Sequence, residues 1–324
     1  MKMLSGRSAL RSPKAADQRS TPCCCIGAAQ SNQSAFETAD EAQAEDRFRA
    51  KGLRMVLPQH GPAGWLKMRH VHWLAKWRAS GQTMPPLDYE AGWALVAALE
   101  ADLRGGLPPR TLASSLSMRS IRQAVVEGML TGFEPYSNEQ LRTFTLLNQN
   151  WVFTPEALDG VHAARLVRQL RTHLHRAGVL DLPCPLIAFL HGEFDPVAGV
   201  FVLHFHGATT APKAQALHEL KGKWGYVKSR TRAAPVRCRP VRDRARQFSY
   251  LLKSYWPSRG VRDQDGVLMR DRKGHRIPEP FHSQVLLWLD RHNLADITLM
   301  NDCWSPRSGG SEAMRALYLS VHHW

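Results

Sequence analysis

The sequence predicts an α+β fold, an antiparallel sheet of order βαββαβ with helices packed on it and helical regions at the N- and C-terminal sides. Two observations carry this. Pro185 to Phe194 and Val200 to His206 are apolar runs separated by the turn-forming stretch Asp195-Pro196-Val197-Ala198-Gly199, which reads as a β-hairpin. On either side of it, stretches rich in Thr, Val and aromatic residues alternate with stretches whose apolar residues recur every three or four positions.

Residues 1 to about 48 are rich in Ser, Ala, Gln and charge, a composition that cannot offset the entropy of ordering, and they are expected to be a disordered tail. In residues 49–140 the spacing of Trp65, Met68, Val71 or His72, and Trp73 is helical, and Tyr89 to Leu103 and Met118 to Leu130 repeat it. Leu141 to Phe153 reads as a strand. Thr154-Pro155-Glu156 follows as an N-cap with Pro at the first helical position, opening a helix that Gly178 stops after about Arg176. Beyond the hairpin, Ala211 to Leu220 reads as helix, the chain around Val236 as extended, and Arg242 to Trp256 as a basic amphipathic helix, closing a domain of residues 141–260. Residues 257 to about 280, full of Gly, Pro, Arg and Asp, read as a loop or linker. Ser283 to Asn293 and Glu312 to His322 read as helices of a C-terminal region, 261–324.

Lys and Arg total 43 against 28 Asp and Glu, a formal charge of +15 that draws phosphate-bearing polymers to the surface. The excess is local: Lys221 to Arg262 holds 13 basic residues and, as its one acid, Asp243. A nucleic-acid partner is the expectation. Cys23, Cys24, Cys25, Cys184, Cys238 and Cys303 lack the paired short spacing that closes a zinc site, so reduced thiols and a cytoplasmic location are expected. No apolar run reaches the length of a membrane span, and no membrane role is expected.

His204 and His206 stand two apart on a predicted strand, where i and i+2 project to one face and both imidazoles can meet one cation. His70/His72 and His173/His175 share the spacing but lie in helical patterns, where i and i+2 diverge. Glu193, on the neighbouring strand, is a candidate third ligand with a hard oxygen. A symmetric tight turn would set it opposite residue 201, on the wrong face, so an odd register or a bulge is required; His191 is the alternative. On the basic helix, Phe248, Leu251, Leu252 and Tyr255 form an apolar stripe, which makes Tyr255 a core residue. Arg242, Arg246, Tyr250 and Lys253 fall on another face. A phenol among cations has its phenolate favoured, so Tyr250 is a candidate nucleophile with Lys253 as its helper. Arg242, Arg246, Lys228 and Arg230 are candidate DNA contacts. Trp224, Tyr226 and Trp256 lie in the same segment, as core residues ahead of base-stacking platforms.

A His-hydrophobic-His strand followed by a Tyr-x-x-Lys helix resembles the HUH endonucleases, specifically rolling-circle replication initiator (Rep) proteins. Phe144-Thr145-Leu146-Leu147-Asn148 is similar to the first strand motif of that family, and the histidines precede the tyrosine as they do in Rep proteins and some transposases. The resemblance spans about Leu141 to Trp256. It implies His204 and His206 as ligands of Mg²⁺ or Mn²⁺, Tyr250 as nucleophile, Lys253 as the motif lysine, and single-stranded DNA at a replication origin as substrate, with host helicase and polymerase as partners. It further implies nicking and rejoining through a 5′-phosphotyrosine. Ser254 departs from the aromatic or Lys that often follows the motif lysine, and with a single suitably placed tyrosine no two-tyrosine relay is expected. No Gly-rich phosphate loop is present, so no fused helicase is expected. The alternatives are a transposase of the same chemistry and a basic DNA-binding regulator without cleavage.

Overall fold

The computed structural model describes residues 36–57, 85–101, 109–229, 231, 233–264, 267–271, 273–303 and 312–322. The pattern around Trp65 to Trp77, with His70 and His72, and the candidate contact Arg230 lie outside them. The chain forms a mixed α+β structure around a curled, mostly antiparallel sheet. Its strands are β1 (Leu141–Phe153), β2 (Leu186–Asp195), β3 (Val200–Thr210), β4 (Val236–Pro240), β5 (Pro257–Ser258), β8 (His275–Arg276) and β9 (Thr298–Asn301). Their spatial order is β4-β1-β3-β2-β5-β8 with β9 also on β2; β6 (Val261–Gln264) and β7 (Val267–Arg270) form a separate hairpin. Among the described residues, the β2–β5 pairing, at Phe194 and Ser258, is parallel and the other strand pairings are antiparallel.

The central hairpin forms where the sequence places it. Asp195 Oδ1 accepts from the amides of Val197 and Ala198, and Gly199, at φ +66, takes the left-handed conformation that returns the chain. With Asp195 paired to Val200, the register sets Glu193 opposite Val202, His191 opposite His204 and Phe189 opposite His206. The odd register that the candidate ligands require is therefore present, and all four residues 191, 193, 204 and 206 share one face.

Phe201, Leu203 and Phe205 alternate onto the other face. There Trp151 packs on Phe205, edge to face at 5.1 Å, and its Nε1 donates to Gln169 Oε1 at 3.0 Å. Gln169 belongs to the helix Ala163–Arg176, so that helix covers the face away from the imidazoles. The helices of the described chain are α1 (Ala39–Val56), α2 (Tyr89–Ala101), α3 (Ser115–Gly132), α4 (Pro155–Leu158), α5 (Ala163–Arg176), α6 (Ala211–Ala216), α7 (Arg244–Leu251), α8 (Phe281–Asp290) and α9 (Glu312–His322). None is long and apolar enough to cross a membrane.

Four expectations are corrected. Ala39–Val56 is helix, not tail: Thr38 and Glu41 form a capping box, and the charged Asp46 and Arg49 are buried because each finds partners. Asp46 accepts from Ser114 Oγ (2.6 Å) and from the amides of Ser115 and Leu116, which satisfies the first turn of α3 from a different helix. Residues 257–280 are not a linker but β5 to β8, since Gly and Pro there separate short strands. The basic helix is shorter than its pattern: Asp243 caps α7, and Leu252 at φ −121, ψ 90 ends it, so Lys253 lies beyond the helix and Arg242 before it. Tyr255, read as core, is 52% exposed because the stripe it belonged to stops at Leu252.

Glu45 of α1 ties that helix to β8, facing Arg276 at 2.6 and 2.7 Å and Arg49 at 3.1 Å. Burial opposes its ionisation, but the hydrogen bond from Arg276 and the charges of Arg49 and Arg276 outweigh that and bring its pKa from 4.5 to about 2. A carboxylate depressed on folding stabilises the native state above its unfolded pKa, and this stabilisation is lost as pH falls through the folded one. The urea midpoint is therefore expected to drop between pH 4.5 and 2, with a contribution from this group of about 2 to 3 kcal/mol. Glu45→Gln should be less stable near neutrality and show a shallower acid limb; an unchanged limb would remove Glu45 from the account.

Candidate nucleic-acid groove and tyrosine site

The imidazole face of the sheet floors a groove of 710 Å³, walled by β4 and α7 on one side and by Pro257, Arg259, Met269 and Arg270 on the other. Its floor comes from rows of paired residues: Arg237, Thr145 and His206 lie in register across β4, β1 and β3, and Arg239 and Thr143 form the next row. Among the described residues, Arg237, Arg239, Arg246, Lys253, Arg259 and Arg270 line it, against Glu193 as a single carboxylate. Such a cleft attracts polyanions.

The two imidazole Nε2 atoms of His204 and His206 are 3.0 Å apart. Nδ1 of His204 faces Val202 O at 3.2 Å, which as a carbonyl can only accept, so the proton sits on Nδ1. Nδ1 of His206 lies 2.9 Å from Thr145 Oγ1 and can donate likewise. Both Nε2 lone pairs then point at each other, an arrangement that a shared cation relieves. The separation also matches neighbouring ligands of an octahedral ion, about 3.0 Å for bonds of about 2.1 Å. Burial, with Val202 working against it and Lys253 with it, brings the His204 pKa to about 4. Burial first, then neighbouring charges, puts His191 and His206 well below the ordinary value. All three are neutral at pH 7, and His204 and His206 keep their Nε2 lone pairs for a ligand.

A third donor is not assembled. Glu193 reaches the right face, yet its carboxylate is ion-paired with Arg270 and, at 3.5 Å, with Arg259. His191 Nε2 contacts Leu251 O and lies 3.4 Å from the amide of Lys253. Among the described residues, no group of three or more His, Cys, Asp or Glu is placed to hold a metal ion. Glu193, the candidate third ligand, is engaged by two arginines from a segment that the sequence presents as a loop or linker. As a pair, His204 and His206 offer two adjacent nitrogen donors, a set that fits a divalent cation.

Tyr250 is half exposed at the end of α7, its ring 5.7 Å from that of His206. Lys253 Nζ lies 3.9 Å from the centre of the Tyr250 ring although Lys253 is not helical; the extended Leu252 turns the chain back. Burial raises the phenol pKa, but Lys253, Arg259 and Arg239 outweigh it and the net shift is downward. Lys253 is itself lowered, first by burial, against the pull of Tyr250.

The carbonyls around this segment are held from elsewhere. Arg122 of α3 donates to Ser249 O at 3.3 Å, His191 meets Leu251 O, and Arg49 of α1 donates to Ser254 O at 2.8 Å. The C-terminal carbonyls of a helix lack internal donors, and here buried side chains supply them, so α1 and α3 take part in fixing Tyr250 and Lys253.

Of the other candidates, Arg246 lines the groove; Arg242 and Lys228 are exposed and do not line it. Arg237, Arg239, Arg259 and Arg270 were missed. The signal for the first two was present as basic residues alternating on a strand, Arg237-Cys238-Arg239. Tyr226 and Trp256 are buried, and Trp224 stacks on His173 with ring centres 5.4 Å apart, so these aromatics pack the protein. His173 is buried against Tyr226 and His175 is exposed, diverging as a helix requires. Comparison with protein-family models, curated proteins and solved structures gave no match.

Proposed function

We propose that the groove binds single-stranded DNA and that Tyr250 nicks and rejoins it, as in Rep-type HUH endonucleases. The observation that carries this reading is the convergence of a cation-flanked phenol with two neutral imidazoles at the floor of a basic groove. Arg237, Arg239 and Arg246 would seat phosphates along one wall. Tyr250 Oη, its ionised form favoured by Lys253, attacks the scissile phosphorus; the Tyr–O–P bond forms as the P–O3′ bond breaks. The phenol proton leaves to solvent, and the 3′ oxygen is protonated to the free hydroxyl that primes synthesis, while the 5′-phosphotyrosine stores the bond for rejoining. Lys253 and Arg259 stabilise the charge that develops on the phosphate. A divalent cation such as Mn²⁺ or Mg²⁺, held by His204 and His206, would supply Lewis-acid polarisation of the phosphate.

Purified protein given end-labelled single-stranded DNA of its own replicon and Mn²⁺ is expected to form a covalent adduct that chelator abolishes. His204→Gln together with His206→Gln should cut adduct formation by about 10²-fold or more while DNA still binds. Adduct formation that is indifferent to chelator and to both substitutions would remove the metal from the mechanism. The engagement of Glu193 by two arginines favours a second reading, a DNA-binding regulator that keeps the groove without cleavage. Binding without an adduct under every metal would establish it. A transposase of the same chemistry would form the same adduct and differ in joining the 3′ end to a new target.

A further inference from the structure

The helix α5 carries a second basic surface, on the other side of the sheet from the groove. Its buried face is Leu166, Val167, Leu170, His173 and Leu174. The opposite face presents His162, Arg165, Arg168, Thr172, His175 and Arg176, all exposed. At 100° per residue these fall within one stripe, and Arg165 to Arg176 spans about 16 Å along the axis. The 14 residues of α5 contain no acid. Among the described residues none of Arg165, Arg168 and Arg176 has an ion-pair partner, while the exposed Arg171 donates to Met300 O and Asp159, before the helix, is paired with Arg291.

We infer that the exposed face of α5 docks the sugar–phosphate backbone of duplex DNA. Three guanidinium groups on a rigid helix, unscreened by carboxylates, form a positive track complementary to a regular row of phosphates. No Phe, Tyr or Trp stands on the stripe, which lacks the large aromatic platforms that unpaired bases stack on and suits a duplex better than a single strand. A lipid surface fits less well, because the apolar face that would insert is already buried against the sheet. The inference goes beyond the nicking reading: a chain that grips duplex on one side of the sheet and single strand on the other is placed at a junction between the two.

The test uses the full chain with Arg165→Gln, Arg168→Gln and Arg176→Gln combined, and a second variant with Glu at the same positions. Fluorescence anisotropy is read with a short random-sequence duplex and with oligothymidine over a salt series, and circular dichroism checks folding. The duplex affinity is expected to fall about tenfold or more, and the slope of log K against log salt to shrink by about 2 to 3. Oligothymidine affinity should stay within about twofold. Unchanged duplex affinity and slope in folded variants would overturn the inference, as would an equal loss for both ligands, or a loss confined to phosphatidylserine vesicles. Because binding alone is read, loss of duplex affinity supports the inference even if the wild type forms no covalent adduct, in which case only the nicking reading fails.

Discussion

Tyr250→Phe is expected to bind single-stranded DNA as the wild type does and to form no covalent adduct, a loss of at least about 10³-fold in the rate of its formation. The substitution removes one oxygen. The ring that Lys253 covers at 3.9 Å and that His206 approaches at 5.7 Å remains, so the local packing and the cation over the ring are retained. Tyr255, five residues on and 52% exposed, is the matched control. A hydroxyl that merely touched phosphate would cost Tyr255→Phe and Tyr250→Phe alike, whereas a nucleophile makes only the second silent. An adduct that persists in Tyr250→Phe at the wild-type rate would mean that another residue attacks, and the mechanism proposed for this groove would be wrong.

The second large effect is expected at Arg49→Met. Arg49 is 1% exposed, and its three nitrogens reach Glu45 Oε1 at 3.1 Å, Ala113 O at 2.8 Å and Ser254 O at 2.8 Å. Met keeps an unbranched apolar stem but is shorter and donates nothing, leaving two carbonyls without that donor and Glu45 with Arg276 alone. The expected cost is about 3 kcal/mol in urea unfolding. The contrast is Arg54→Met, whose ion pair with Glu100 is made by a guanidinium side chain 47% exposed, and which should cost less than about 1 kcal/mol. Since Ser254 follows Lys253 directly, Arg49→Met should also slow adduct formation more than it weakens DNA binding. If Arg49→Met proved as mild as Arg54→Met, the buried guanidinium would not be the tie between α1 and the tyrosine segment.

Much of the fold was legible because it depends on local periodicity. The bounds of β1 and α9 (Glu312–His322) and the place of the hairpin's Gly199 turn coincide with what alternation, turn chemistry and helical spacing predict, while β3 runs past His206 to Thr210. The helix over Arg242 to Trp256 was overextended for an identifiable reason. Its apolar spacing continues through Tyr255, but Leu252 adopts an extended backbone, and His191 takes the carbonyl of Leu251 that a continuing helix would have used. The strands in residues 257–280 were missed because two- and four-residue pieces contain too few positions to show a period, and the one that joins the central hairpin, β5, pairs with Phe194, far off in sequence. The charged character of α1 hid its burial, since composition alone does not show that Asp46 will cap α3 or that Arg49 will reach Ser254.

What the sequence determined by itself is the chemistry available on each element. Strand alternation puts His204 and His206 on one face, helical spacing separates Tyr250 from its apolar neighbours, and the charge between Lys221 and Arg262 makes the surrounding surface basic. What the tertiary structure alone decided is which of these groups meet. The hairpin register brought Glu193 to the imidazole face, and the β6–β7 hairpin then delivered Arg270 to its carboxylate. Folding likewise brought α1 and α3 behind the tyrosine and turned the basic stripe of α5 to the opposite side of the sheet. The physical reason is that periodicity repeats over a few residues and is written locally, whereas register and packing are set by the burial balance of whole segments, some of them about two hundred residues apart, which no local pattern encodes.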